Sequence, residues 1–218
     1  MTIDTNDMLN SILASLSRVD YIKTNDIPDI ELYMDQVTTF MNSHLKPSKR
    51  YTEDKILTKT MINNYAKNAL IPPPDKKKYS KEHVLLLIFI YYFKNILSIN
   101  DINTLLDPLK SKYFKTDSEM DLEKIYEEVF NLERTQVEEL KVDIVEKFKK
   151  SQTTFPDASE EDSEFLHLFS FICILSFDVY LKKQLIERLI DQLPSSANSK
   201  TASEKTGKDK TDKDRKSK

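Results

Sequence analysis

A single glycine among 218 residues, at position 207, constrains this chain more than any other feature. Glycine supplies the positive φ angles and close backbone approach on which tight strand turns and phosphate-cradling loops rely. With none before Gly207, the dinucleotide and Walker types of nucleotide loop are excluded as expectations. Leu, Ile, Lys, Glu and Asp fill the chain instead, and most of these favour helix. The expected fold class is therefore all-α. Apolar residues make up 39% and charged residues 32%, a soluble composition with enough length for one or two small domains.

Chemistry that needs a convergent side-chain cluster finds little support. Cys173 is the only cysteine, and the three histidines (His44, His83 and His167) are scattered. No disulfide can form within the chain, and no zinc-ligand spacing is present. No Ser–His–Asp or Cys–His constellation stands out, so we expect no enzyme, no catalytic or metal-binding residues and no cofactor. The opening segment, MTIDTNDMLN, lacks a basic and apolar leader, and a cytoplasmic protein is expected. The one apolar run, FLHLFSFICILSFDVYL at 165–181, is interrupted by His167 and Asp178. It reads as a buried bundle helix rather than a membrane span.

Charge is distributed unevenly. Residues 1–43 carry 2 basic and 7 acidic side chains, residues 44–94 carry 11 and 4, residues 95–194 carry 12 and 21, and the rest carry 8 and 4. A local basic segment in an acidic whole is the electrostatic footprint of a nucleic-acid-binding module.

The apolar periodicity divides the chain into elements. A short amphipathic helix is expected over 5–18. A second starts after Pro28, with Ile30, Tyr33, Met34, Val37, Phe40, Met41 and Leu45 on one stripe. A third spans 59–69, capped by Thr58 and ended by Pro72, Pro73 and Pro74. Met61, Ile62, Tyr65, Ala66, Ala69 and Leu70 share one face of it. Lys59, Thr60, Asn63, Asn64, Lys67 and Asn68 share the other, which holds no acidic residue. A short basic wing follows over 75–79, and Ser80 caps an almost wholly apolar helix in which His83 is read as a first-turn surface residue. Ser98 caps the next helix, with Ile99, Ile102, Leu105 and Leu106 inward and Pro108 closing it. A long helix capped by Ser118 covers 118–150, and a last one covers about 160–193 and ends at Pro194. From Ser195 the chain is polar and expected to be disordered.

Over residues 62–106 the spacing resembles the DNA-binding domain of MerR-type regulators. Ile62 and Tyr65 match its recognition-helix core, Leu70, Ile71 and Pro73 the turn into the wing, and Tyr79 the wing's close. Val84, Leu87, Ile90 and Phe93 match the next helix; Ser98, Ile99, Asp101, Ile102, Leu105 and Leu106 match the one after. MINNY, LIPPP and KKKYSKEH together also resemble an uncharacterised bacterial family of transcriptional regulators carrying this domain. Asn63 stands where the MerR family has Arg, Ala69 and Leu97 where it has glycine, and the wing is shorter.

The resemblance implies a winged helix-turn-helix domain over 27–107, preceded by an N-terminal helix in 1–26. A helical dimerisation or regulatory domain over 108–194 and a basic disordered tail over 195–218 would follow. It implies a bacterial transcription regulator that binds double-stranded DNA near the nucleoid as a homodimer, with no membrane partner and any effector undefined. Asn63 and Asn64 are expected at base edges, with Thr60 and Asn68 at the margins, because Asn pairs bidentately with adenine. Lys59, Lys67, Lys76, Lys77, Lys78 and Lys81 are expected at phosphates, and Tyr79 either at a phosphate or packed beneath the wing. The competing reading is an all-helical protein-interaction adaptor that does not bind DNA.

Overall fold

The computed structural model describes residues 5–16 and 21–193. Helices dominate, as expected: α1 (Thr5–Leu16), α2 (Met34–His44), α3 (Lys59–Lys67), α4 (Lys81–Phe93), α5 (Ile99–Lys112), α6 (Leu122–Ser151) and α7 (Glu160–Asp191). The exception is a two-stranded antiparallel ribbon. In it β1 (Leu32–Tyr33) pairs with β2 (Lys78–Tyr79), with Leu32 opposite Tyr79 and Tyr33 opposite Lys78. The expected tail from residue 195, the stop at Pro194 and the last residues of the first helix lie outside the described residues.

α4 is the hub. Every residue from His83 to Ile90 is buried, and a helix apolar on all sides must be wrapped by others. Val37 and Met41 of α2, Ile62 of α3, Ile102 and Leu106 of α5, and Leu122, Tyr126 and Phe130 of α6 join it in one core. The Phe89 ring lies 5.5 Å from both Tyr126 and Phe130. The Tyr126 hydroxyl donates to the Ile22 carbonyl at 2.6 Å, tying α6 to the segment ahead of α2. A smaller cluster joins Leu9 of α1, Ile144 and Phe148 of α6, and Phe171 of α7.

Several boundaries differ from the periodicity, each for a local reason. α2 begins at Met34 rather than after Pro28, because Leu32 and Tyr33 are extended to pair with β2. The Tyr33 amide then donates to the Gln36 side chain at 2.8 Å, while Ile30 and Tyr33 remain exposed. α3 stops at Lys67, before the prolines. Ala69 adopts φ 56°, and the amides of Ala69 and Leu70 donate to the carbonyls of Ala66 and Tyr65. This is the Schellman closure that usually recruits glycine. α5 runs through Pro108 to Lys112, and Ile99 is exposed rather than inward. α6 is capped by Asp121, not Ser118: its carboxylate accepts from the Lys124 amide at 2.8 Å.

α7 departs furthest from expectation. Its stretch 165–181 is largely uncovered: Phe165, Phe169, Ile172, Phe177, Val179, Tyr180 and Leu181 are all more than half exposed. Among those residues only Phe171 is buried, edge-on to Phe148 at 5.3 Å. By length and composition alone α7 could also cross a membrane. Leu175 packs half-buried against the same cluster, and other attachments of α7 are polar or distal. Asp178 accepts from Lys147 of α6 at 2.7 Å, and Ile190 enters the main core.

Candidate nucleic-acid interface

α3 is anchored by its apolar side and by both ends. The Thr58 hydroxyl accepts from the Met61 amide at 3.2 Å, capping the helix. Ile62 and Tyr65 are buried, and burial raises the Tyr65 phenol above its usual pKa. At the other end Lys110 reaches back from α5 and donates to the Ala69 carbonyl. That bond depends on α5 continuing past Pro108. Lys59 forms an ion pair with Asp35 of α2, both exposed, so the pair is screened and weak.

The face opposite the core presents Lys59, Thr60, Asn63, Asn64, Lys67 and Asn68, all exposed. These residues are brought together as expected, on a single polar surface without an acidic member. The connection before α3 adds Arg50 and Lys55, also exposed, which the motif reading had passed over. Packing and hydrogen bonds hold that connection in place, among them one between the Ser48 and Tyr91 hydroxyls. Ile56 and Leu57 are buried, and Lys94 of α4 donates to the Ile56 carbonyl at 2.6 Å.

After α3 and the prolines, the wing forms a two-residue hairpin. The Lys78 amide donates to the Asp75 carbonyl at 2.7 Å, and the two residues between them, Lys76 and Lys77, have φ of 45° and 67°. Positive φ at both central positions is the type I′ pattern, which normally selects Asn-Gly. A side chain at each costs roughly 1 kcal/mol. The chain therefore makes without glycine a turn its composition argued against. Lys76 and Lys77 stand exposed at the tip.

The remaining wing residues divide. Lys78 lies over the Tyr33 ring, 5.6 Å from its centroid, and is half-buried. Tyr79 is buried, edge-on to His83 at 5.5 Å, with its phenol pKa raised by burial. It packs beneath the wing and has no surface to offer a phosphate. Lys81 points to α6, where its amino group meets Glu123 at 2.6 Å, so its charge is already matched.

His83, expected at the surface, is buried instead. The Ser80 amide donates to its Nδ1 at 3.0 Å, which leaves the proton on Nε2. Nε2 is buried without a well-formed hydrogen bond, although the Pro72 and Pro73 carbonyls lie close enough to favour a proton there. Burial, and then the nearby Lys115 charge, push the imidazole below its ordinary pKa. The Ser80-x-x-His83 spacing of a capping box was the available sequence signal. It was missed because apolar periodicity says nothing about a polar side chain turned inward.

The domain so defined is a helical unit with a two-stranded wing, built around α4. Residues 22–129 match the family model described as a domain of unknown function, DUF1836. That span coincides with the main core, which runs from Ile22 to Phe130 and then takes Ile190 from α7. No curated protein and no solved structure matches the chain.

Proposed function

We propose that this protein is a sequence-specific, DNA-binding transcription regulator with a MerR-like winged helix-turn-helix domain, acting as a homodimer in the bacterial cytoplasm. One observation carries the reading. The polar face of α3, Asn and Lys without an acidic residue of its own, is exposed, and the hairpin that follows α3 in the chain exposes Lys76 and Lys77 in an unfavourable backbone conformation. Unfavourable turns of this kind collect where a surface is used.

In this reading α3 lies in the major groove, where Asn63 and Asn64 pair with adenine edges and discriminate by ~1–3 kcal/mol per good contact. Lys59, Lys67, Lys76 and Lys77 hold phosphates on either side, which sets register and gives affinity its salt dependence. Lys78 contributes from the base of the wing. Tyr79 and His83 act beneath it, shaping the wing rather than touching DNA.

The test is selection of the purified full chain against random duplex DNA, repeated with Asn63→Ala/Asn64→Ala. A two-fold motif that blurs in the variant supports the reading. An absence of any enriched motif defeats it and favours the interaction adaptor, a reading to which the uncovered apolar surface of α7 lends weight.

A further inference from the structure

The exposed side of α7 carries a pattern that a lone amphipathic helix does not need. Phe165, Phe169, Ile172, Ser176 and Val179 follow steps of four, three, four and three residues. This is the heptad spacing that keeps one seam facing a partner helix. The α6 contacts lie on the other side, through Phe171 and Asp178. Among the described residues nothing covers the seam, and Phe165, Phe169, Ile172, Ser176 and Val179 are all exposed.

We propose that this seam pairs with the same seam of a second copy, antiparallel about a two-fold axis passing between Ile172 and Cys173. The inference deepens the regulator reading, which needs a dimer to read a two-fold site.

Three observations favour a second copy over other occupants. The first is area. Phe165, Phe169, Ile172, Val179, Tyr180 and Ile186 are between 36% and 67% exposed. At roughly 150–200 Å² for each such side chain, they offer on the order of 500–650 Å² of apolar surface. A standard interface buries about 800 Å² per partner, and homodimer interfaces are about 65% apolar, so the two figures agree.

The second is charge. Glu160, Glu161, Asp162 and Glu164 stand at the start of α7, and past its middle stand Lys182 and Lys183, whose surface pairs with Asp178 and Glu187 of the same helix are solvent-screened and exchangeable. The proposed axis sets residues 160–164 of one copy against 181–185 of the other, so acid meets base at both ends. A parallel pair would set acid against acid. The third is shape, since the same axis places Phe169 across from the small Ser176. A lipid bilayer fits less well. It would have to accept Asp178, which is paired with Lys147 and Lys182, and a helix already packed on one side.

Sedimentation velocity on the full chain tests the pairing. The expected mass is twice the 25.5 kDa of one chain. Phe169→Asp/Ile172→Asp should halve it, while Leu189→Asp, exposed but beyond the paired stretch, should leave it unchanged. Circular dichroism checks that the variants stay helical. Should they unfold, cysteine placement in a Cys173→Ser background decides. Ile172→Cys should form disulfide-linked dimers on mild oxidation and Phe165→Cys should not, whereas a parallel pair would cross-link both.

A monomeric wild type, or dissociation by Leu189→Asp alone, overturns the proposal. So does flotation of the wild type with phosphatidylcholine vesicles when Phe169→Asp/Ile172→Asp abolishes it. A dimer that selects no DNA keeps the seam and sinks the regulator. A monomer that selects DNA does the reverse.

Discussion

The Nδ1 of His83 accepts a hydrogen bond from the Ser80 amide at 3.0 Å, and this contact joins the wing to the central helix. It requires an unprotonated Nδ1. Protonation would turn the acceptor into a donor facing another donor, in a site closed by Tyr79 and Phe114. Burial, and after it the nearby Lys115 charge, lowers the ring's pKa in the folded protein. Below about pH 6.5 the unfolded chain takes up a proton that the folded chain refuses. Stability is therefore full above that value and declines as pH falls from it toward the folded-state pKa. Thermal unfolding between pH 7 and 5 should show this decline, and His83→Gln, which preserves the capping spacing, should flatten it. An equal slope in both proteins would mean that His83 is not the group responsible.

Ala69 closes α3 at φ 56° with a side chain where the motif prefers none. Ala69→Gly relieves roughly 1 kcal/mol of steric cost. Its position is left-handed, so the flexibility that glycine usually costs a helix interior does not reverse the gain. The midpoint of chemical denaturation should rise. A fall would show that the bonds from Ala69 and Leu70 do not define this turn.

The wing tip joins charge to an unfavourable backbone. Replacing Lys76 with Asn and Lys77 with Gly should stabilise the hairpin by ~1–2 kcal/mol, since this pair suits a type I′ turn. The same change should weaken DNA binding and lower the salt slope of affinity by about 2, near 0.9 per lost phosphate contact. Denaturation and salt-dependent binding titrations measure the two effects separately. Increased stability with an unaltered slope would remove the tip from the DNA contacts.

Lys81 belongs to the same basic run but faces Glu123. Lys81→Gln should leave the salt slope unchanged, in contrast to Lys67→Gln, which should lower it by about 1. A drop for both would mean that Lys81 leaves Glu123 on binding.

Tyr126 is wholly buried and donates to the Ile22 carbonyl at 2.6 Å. Tyr126→Phe keeps the ring packing and strands that carbonyl, so it should destabilise the protein by about 1–2 kcal/mol in urea denaturation. No change would indicate that water reaches Ile22.

How much of this was legible beforehand follows from the range of each interaction. The Thr58 and Ser98 caps, the two faces of α3, the burial of Tyr65 and the apolar surround of α4 all depend on residues within a few positions of one another. Periodicity and capping rules read such local relations directly. The exposed residues proposed to contact DNA were legible for the same reason, being the side of α3 that the core does not use.

What the tertiary structure alone decided depends on partners distant in the chain. Leu32 and Tyr33 leave the helical pattern because Tyr79 and Lys78 pair with them. α5 continues through Pro108, and Lys110 beyond that proline reaches the Ala69 carbonyl. Lys81 and Tyr79 are withdrawn from the candidate site by Glu123 and His83. The sequence by itself determined a mostly helical chain, because local propensity and apolar spacing select helix residue by residue. It could not determine which apolar face would be covered. Burial depends on what packs against a face, and among the described residues of a single chain nothing covers the seam of α7.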